Sequence, residues 1–249
     1  GEVKFGVIMT KKDHAAGRTG MGSVMGSKNL KAIVICKGDH KPFPAITPTQ
    51  KKAVKAYVSQ IKNSSEFNFF SKYGSSGYVK WVNDLGVMGR KNYGKIGTKH
   101  IEKIDARKLD KNIVRSSGCF RCPVQCKADL KLDELEKDRL FTRPEFEPVL
   151  NLGPKCGLKD LTQIIKLDNL CSRLGVDSTS TASVIAFAMD LFEKKLLPES
   201  LVGDLDLSWG NADAMEKLIF QMVEGKGLGK ILCLGVRKAA QLIGNGASK

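Results

Sequence analysis

The fold class is decided by residues 160–197, which read DLTQIIKLDNLCSRLGVDSTSTASVIAFAMDLFEKKLL. Apolar residues recur in this stretch every three or four positions, the spacing typical of the buried face of an α-helix. Gly175 separates two helices, because a glycine commonly follows the last helical turn. Working outward, the same periodicity predicts further helices over 49–61, 212–224 and 229–243. The predicted body of the protein is therefore multi-helical.

The first part of the chain has a different pattern. Runs rich in β-branched residues at Val3–Met9 and Leu30–Cys36 predict two strands. Prolines 42, 44 and 48 mark a boundary, and residues 118–143 are expected to form a long irregular connection. The predicted fold class is thus mainly α, with strands confined mainly to the first forty residues. A short β-rich segment, 1–46, precedes a helical part, 47–249.

The charge balance favours an acidic partner. Lysine and arginine outnumber aspartate and glutamate by 41 to 26, which gives a net charge of +15. No glycine-aromatic motif of an RNA-binding sheet is visible, so nucleic acid is not expected as a partner. No apolar run approaches the roughly 20 residues of a membrane span, so a membrane is not expected either.

The cysteines indicate a metal site rather than disulfides. Seven cysteines without a leader sequence favour a reducing, cytoplasmic compartment. Cys119, Cys122 and Cys126 are spaced two and then three residues apart, as thiolates at three corners of a [4Fe–4S] cluster can be. Zinc and incidental thiols remain alternatives, and no fourth ligand is evident. We expect these three sulfurs to converge on one point, and Cys36 and Cys233 to be buried.

A glycine-rich segment connects the two predicted strands and reads GRTGMGSVMGSKNLK (17–31). Gly20 and Gly22 would let backbone amides approach a ligand, and Arg18 and Lys28 would supply positive charge, which together suits a phosphate. The spacing matches no common nucleotide fingerprint. A flexible turn between strands is the alternative.

Three acidic residues are candidates for binding or catalysis. Asp177 stands where it would either cap a helix or accept paired N–H bonds from an aminopyrimidine ring. Glu145 and Glu147, in RPEFEP (143–148), would act as acid or base if they were desolvated, and would otherwise be solvated first-turn residues. The histidines have no partner spacing and are predicted to lie at the surface: His14, His40 and His100.

Several of these motifs occur together, in the same order, in one known family. The matching stretches are GRTGMGSVMGSKNLKAI (17–33), YGSSG (73–77), Cys119-x2-Cys122-x3-Cys126, PEFE (144–147), CSRLGVDS (171–178) and EGKGLGKILCLGV (224–236). In these stretches the chain resembles the tungsten-containing aldehyde ferredoxin oxidoreductases. The resemblance spans the whole chain, which makes it more specific than any single motif.

The resemblance implies a metal centre with two components. Cys119, Cys122 and Cys126 would be three ligands of a [4Fe–4S] cluster beside a tungsten bis-pyranopterin cofactor of the molybdopterin type. One of Glu145 or Glu147 would face the tungsten as the catalytic carboxylate.

The resemblance also implies pterin contacts. Asp177 would bind a pterin ring, although the family motif usually opens with an aspartate where Ser172 stands here. The residues expected near the pterin phosphates, where the family also allows Mg²⁺, are Arg18, Gly20, Gly22 and Lys28.

The implied activity is the oxidation of aldehydes to carboxylates, with electrons passed through the cluster to an acidic ferredoxin. Residues 1–46 would be the tail of an N-terminal β domain that supports the pterin. The fourth cluster cysteine would lie in further parts of the same enzyme, so the isolated fragment is expected to be inactive. A homo-oligomer is compatible with the family. Two alternatives are a same-cofactor reductase, for example of an aromatic acyl thioester, and a cofactor-less helical interaction domain.

Overall fold

The computed structural model describes residues 2–12, 14–36, 38–39 and 45–248. The chain is about 50% helical and 11% strand, which confirms the predicted mainly-α class. The helices are α1 Met21–Ser27, α2 Pro48–Lys62, α3 Ser65–Tyr73, α4 Val79–Asp84, α5 Phe146–Leu152, α6 Leu161–Leu174, α7 Ser178–Glu193, α8 Glu199–Val202, α9 Ala212–Glu224, α10 Gly229–Leu232 and α11 Val236–Ile243. Short 3-10 helices lie at Ser75–Tyr78, Ile101–Lys103, Ala106–Asn112 and Pro154–Cys156.

The strands form small antiparallel sheets. Two hairpins, β1–β2 and β3–β4, stand apart from a three-stranded sheet in the order β5-β6-β7. Their bounds are β1 Ile8–Lys11, β2 His14–Ala16, β3 Gly89–Arg90, β4 Lys95–Ile96, β5 Ile113–Ser117, β6 Lys127–Lys131 and β7 Leu140–Thr142.

The main core lies between α5, α6, α7, α9 and α11. Helix α7 is most deeply buried over its central part, which matches the continuous apolar run from Val184 to Met189. Ile164, Ile185 and Met215 are fully buried, and each such side chain stabilises the fold by about 1.5–3 kcal/mol. A second, smaller apolar cluster lies between the three-stranded sheet and one face of α6, around Leu130, Phe141 and Ile165.

The N-terminal segment is bound to the helical body through its backbone. The amide of Val7 donates to the carbonyl of Gly175 at 2.8 Å, and the amide of Asp177 donates to the carbonyl of Phe5 at 3.0 Å. The amide of Lys4 donates to the carbonyl of Cys233 at 2.9 Å. The junction of α6 and α7 is therefore also the place where the N-terminal segment docks.

Asp129 joins the N-terminal hairpin to the three-stranded sheet. This carboxylate on β6 is 1% exposed and accepts hydrogen bonds from Arg115 on the neighbouring strand, at 2.6 and 3.1 Å. It also forms an ion pair with Lys12, which lies in the connection between β1 and β2. Burial alone would raise the pKa of Asp129, but these two cations outweigh it and lower the pKa.

The distribution of strands was predicted incorrectly. The first strand begins at Ile8, after a turn, and Leu30–Cys36 forms no strand, since none of the described residues pairs with it. Ile33, Val34 and Ile35 are instead 69%, 80% and 93% exposed. The expected irregular connection over 118–143 contains β6 and β7, so strands are not confined to the first forty residues.

The helix predictions agree better with the structure. Helix α9 has the predicted bounds, whereas α7 ends at Glu193 because Lys195 adopts a left-handed conformation. The predicted helix 229–243 is divided into α10 and α11 at Gly235, whose φ is +87°. Helix α2 forms where expected, but none of its residues is buried. Prolines 42 and 44 lie outside the described residues.

Candidate functional site

A polar pocket of about 140 Å³ lies where the three-stranded sheet meets α5 and α6. Its position follows from chain order, because the chain leaves β7, turns, and enters α5 within a few residues. Helix α6 contributes Asp168 and Ser172, which are four residues apart and therefore share one face. The other lining residues are Lys127, Thr142, Arg143, Glu145, Pro148 and Asn169.

Glu145 is held in this pocket as a carboxylate. It stands immediately before α5, accepts a hydrogen bond from the Ser75 hydroxyl and forms an ion pair with Lys127. Burial works to raise the pKa of Glu145, but the charge of Lys127 and the two hydrogen bonds outweigh it, so this pKa is lowered. Glu147, the other candidate, is exposed in the first turn of α5. The structure therefore places only Glu145 in the pocket.

Asp168 was not identified from the sequence. Burial raises the pKa of its carboxyl to about 6, the charges of Glu145 and Asp177 add to the rise, and Ser178 and Lys127 oppose it. A carboxyl with this pKa can exchange protons near neutral pH. The sequence offered one indication of its role: this aspartate follows Leu167 on a side of α6 that faces neighbouring elements rather than solvent.

Arg143 ties the pocket to the cysteine loop, the connection 118–126 between β5 and β6. Its guanidinium is buried and donates to the carbonyls of Lys72 and Cys126. Burial lowers the pKa of Arg143, while the charge of Glu145 opposes this. Gly74 allows the approach: its φ is +62°, and a Cβ there would lie 2.8 Å from the carbonyl oxygen of Cys126. Together with Ser75, these contacts explain the YGSSG stretch.

The three cysteines of this loop face different neighbours. The Cys119 sulfur is exposed and lies 3.4 Å from Nε2 of His14. Cys122 and Cys126 are half-buried. Burial raises the pKa of the Cys126 thiol, and the nearby charge of Glu145 raises it further. In the part of the chain that the structure describes, no three Cys, His, Asp or Glu side chains are arranged to hold a metal ion. The expectation that the three sulfurs converge without a metal is therefore wrong.

The donor chemistry nevertheless fits an iron–sulfur cluster. All three thiols are free and lie on one connection whose ends are fixed by paired strands. Cubane clusters are held by such thiolates. These residues therefore suit three ligand positions, although their sulfurs are not yet in a ligand arrangement.

Other predictions for cysteine and histidine have mixed outcomes. Cys233 is buried, as expected, whereas Cys36 is exposed because the predicted strand around it does not form. His14 is half-buried against the cysteine loop rather than free at the surface, while His100 is exposed as predicted. His40 lies outside the described residues.

The glycine-rich segment forms a tight structural contact. Gly20 has a φ of +73°, and a Cβ there would lie 2.3 Å from the carbonyl oxygen of Lys4. A Cβ at Gly22 would lie 2.4 Å from the carbonyl oxygen of Val7. These glycines therefore allow α1 to pack against the N-terminal segment, which is more specific than the flexible turn considered above. Arg18 and Lys28 are exposed.

Beside this contact is a cavity of about 290 Å³ between the N-terminal segment and the α6–α7 junction. Gly6, Gly22 and Gly175 line it, and their amides are already paired within the fold: that of Gly22 donates to the Gly6 carbonyl at 3.0 Å, and that of Gly175 to the Ser172 carbonyl at 3.3 Å. The described residues that line this cavity do not include Arg18, Lys28 or Asp177.

Asp177 caps α7. One of its carboxylate oxygens accepts a hydrogen bond from the amide of Ser180 at 2.7 Å. The capping interpretation of Asp177 is thus confirmed. The charge of the same carboxylate adds to the rise in the pKa of Asp168, although Asp177 is not among the residues that line the polar pocket.

The chain belongs to the aldehyde ferredoxin oxidoreductase family. Residues 1–37 match the family's description "Aldehyde ferredoxin oxidoreductase, N-terminal domain". Residues 52–249 match "Aldehyde ferredoxin oxidoreductase, domains 2 & 3". The predicted boundary at residue 46 lies between these two matches and stays a prediction.

Individual relatives are named as oxidoreductases of more than one kind. The tungsten-containing aldehyde ferredoxin oxidoreductase of Thermococcus kodakarensis is 32% identical over 98% of this chain, and an aliphatic sulfonate oxidoreductase, WOR-like subunit, of Pyrococcus furiosus is 31% identical over 96%. These matches span 40% and 38% of the relatives' lengths. The chain therefore covers less than half of each.

A solved structure has the same fold. It is the active-site complex BamBC of benzoyl coenzyme A reductase with 1,5-dienoyl-CoA, and the chain superimposes on it with a TM-score of 0.75 at 25% identity. The superposition covers 99% of this chain and 39% of that one. As for membranes, none of the helices in the described ranges has the length and apolar character needed to cross a bilayer.

Proposed function

We propose that this chain is part of a tungstopterin oxidoreductase that oxidises aldehydes to carboxylates and passes the electrons through a [4Fe–4S] cluster to ferredoxin. The observation that carries the proposal is the polar pocket, in which an ionised Glu145 and a titrating Asp168 adjoin the end of the cysteine loop. The family of the chain and the tungsten enzymes among its relatives support it.

The side chains of this pocket suit the proton steps of such a reaction. Oxidation of an aldehyde with water releases protons as well as electrons. Glu145, paired with Lys127, stays ionised and can orient or accept hydrogen-bonded groups. Asp168, with a pKa of about 6, can take up and release a proton at neutral pH.

The cofactor contacts remain as the family resemblance implies them. Cys119, Cys122 and Cys126 would be cluster ligands. Asp177 and the cavity lined by glycines would receive the pterin, with Arg18 and Lys28 nearer its phosphates, where Mg²⁺ would bind. When bound, the tungsten and the cluster supply oxygen-atom transfer and single-electron transfer. We further propose a cytoplasmic enzyme, assembled from this chain together with other parts of the same protein, and compatible with a homo-oligomer.

A positively charged surface suits an acidic electron acceptor. The net charge of +15 would attract a ferredoxin electrostatically and accelerate their encounter. Reduction of ferredoxin should then slow markedly with added salt, whereas reduction of a viologen, which is a dication, should not.

A second candidate is a reductase that uses the same cofactor on an acyl thioester. It is favoured by the fold shared with the benzoyl coenzyme A reductase complex. Assays of the purified complete protein separate the two: we expect tungsten and iron in metal analysis, and aldehyde-dependent reduction of a viologen. Turnover of an aromatic acyl-CoA without aldehyde activity would favour the second candidate. Absence of both metals would contradict both.

The cysteine loop is tested in the complete protein by Cys122→Ser, with Cys233→Ser as the matched control. Cys122→Ser should abolish the visible absorbance of the cluster, because a thiolate ligand is lost. Cys233 is buried away from the loop, so its variant should keep the absorbance. Equal losses would mean that the thiols matter only for packing.

Asp177 is tested by a pair of variants that separate capping from pterin binding. Asp177→Ala should cost about 1 kcal/mol of stability through the lost N-cap, and Asp177→Asn should largely retain the cap. If the carboxylate also binds pterin N–H groups, both variants should lower the cofactor content. Full cofactor content in Asp177→Asn would contradict the binding role.

A further inference from the structure

A second polar cavity, of about 180 Å³, lies between the β3–β4 hairpin, the 3-10 helix Pro154–Cys156 and Trp209. It shares no lining residue with the polar pocket described above. None of the described residues that line it is acidic. Its basic and donor side chains are Arg90, Lys91, Thr98, His100, Lys159 and Trp209.

Two buried N–H groups at this cavity lack acceptors. Nε of Arg90 and Nε1 of Trp209 are inaccessible to solvent and make no hydrogen bond within the described residues. Buried donors are nearly always paired, because an unpaired one forfeits the hydration that it had in water. Both atoms belong to side chains that line the cavity and are incompletely satisfied, although the two nitrogens themselves do not face its interior.

The positive charge of the cavity is only partly compensated. Lys91 pairs with Glu193 at 2.9 Å. The pKa of Glu193 is lowered first by this lysine and then by the nearby indole of Trp209, although no hydrogen bond of normal geometry joins Glu193 to the indole. Arg90 and Lys159 form no ion pair with any residue that the structure describes. A net positive charge therefore faces the cavity.

The walls of the cavity are fixed by backbone contacts. Lys91, Asn92 and Tyr93 all have positive φ, a costly arrangement for three successive non-glycine residues. Their turn is held by the amides of Lys91 and Asn92, which donate to the carbonyls of Pro154 and Lys155 at 3.1 and 2.9 Å. The backbone that carries Arg90 is thereby held beside the cavity.

We propose that this cavity binds the phosphoryl group of a small phosphorylated molecule. A guanidinium presents its N–H groups in a plane that matches two phosphate oxygens. The Thr98 hydroxyl and Lys159 can serve further oxygens of the same group, whereas a carboxylate would leave donors unused. The site is separate from the proposed oxidoreductase chemistry.

Calorimetric titration of the complete protein with inorganic pyrophosphate at low salt tests the proposal, without aldehyde or electron acceptor. We expect saturable binding, weakened about tenfold or more in Arg90→Gln, because a charge-assisted hydrogen-bond donor is lost. Arg237→Gln, at an exposed position on α11, is the matched control and should bind as the unaltered protein does. Glu193→Gln should tighten binding several-fold, because it frees Lys91.

Opposite effects of the Arg90 and Glu193 variants cannot arise from a general loss of folding, which would weaken both. The absence of binding, or equal affinities in Arg90→Gln and Arg237→Gln, would overturn the proposal. Acetate bound as tightly as pyrophosphate would overturn the phosphoryl class. Each of these outcomes leaves the proposed oxidoreductase function untouched, because that function is measured by different assays.

Discussion

Replacing Asp168 with asparagine should stabilise the protein at neutral pH and flatten its pH dependence. Asp168 lies at the polar pocket on α6, where burial raises the pKa of its carboxyl from the ordinary value of 3.8 to about 6. Because the folded state binds this proton more tightly than the unfolded chain, stability is highest below pH 3.8 as far as this group is concerned. The stability that this proton contributes is lost as the pH rises through about 6.

The rise from 3.8 to about 6 corresponds to a cost of about 3 kcal/mol at pH 8. Since Asp168 is only half-buried in its pocket, solvent screening reduces this to about 1–2 kcal/mol. Asparagine has nearly the same shape and cannot ionise, so it removes the penalty. Urea unfolding of both proteins at pH 5 and pH 8 measures the effect.

The gain should be nearly complete at pH 8 and about half as large at pH 5, which lies between the unfolded and folded pKa values. Asp204→Asn is the matched control, because Asp204 is 90% exposed and its only described ion pair, with Lys217, is long at 3.8 Å. This variant should change stability by less than about 0.5 kcal/mol at both pH values. If Asp168→Asn destabilised the protein equally at pH 5 and pH 8, the reasoning from burial would be refuted. In the active enzyme, the same variant should slow any step in which Asp168 moves a proton.

Two further substitutions test the pocket and the N-terminal contact. Glu145→Gln should lower the free energy of unfolding in urea by about 1–3 kcal/mol, because Lys127 is only 14% exposed and would lose its counter-charge. The control, Glu147→Gln in the exposed first turn of α5, should lower it by less than about 0.5 kcal/mol. Equal costs of the two substitutions would contradict the ion-pair argument. Gly22→Ala should displace α1 from the N-terminal segment, since its Cβ would lie 2.4 Å from a carbonyl oxygen, and should therefore speed limited proteolysis before residue 30. The control, Gly17→Ala, has no atom within 4 Å of its Cβ and should be cut at the unaltered rate. The same rate in both variants would show that the close approach at Gly22 is not needed.

Local periodicity was sufficient for the helices but not for the sheet. Helices α6, α7 and α9 bury apolar faces, so the spacing of apolar residues along the sequence was enough to predict these helices. The three-stranded sheet was not predicted, because the cysteine loop separates β5 from β6 and because the charged Asp129 lies within β6. The apolar run 30–36 has strand composition, but a strand also needs a partner, and composition cannot supply one.

The candidate site was predictable in its parts but not in its assembly. Glu145, Asp177 and the three cysteines each stand in a recognisable motif, yet spacing along the chain could not show that Glu145 reaches Lys127 while Glu147 faces solvent. Asp168 gave little signal, because its role depends on neighbours from other elements. Both the missed residue and the wrong expectation of converging sulfurs concern contacts across the fold.

The carboxylate of Asp129 makes the N-terminal hairpin and the three-stranded sheet open together. Arg115 belongs to the same sheet and can compensate this buried charge alone, whereas Lys12 reaches it only when the hairpin is docked. Undocking the hairpin therefore withdraws a counter-charge from the interior of β6 and weakens the sheet at that point. Amide hydrogen exchange should accordingly show linked protection in β1–β2 and β5–β6, two regions that are more than a hundred residues apart in the chain.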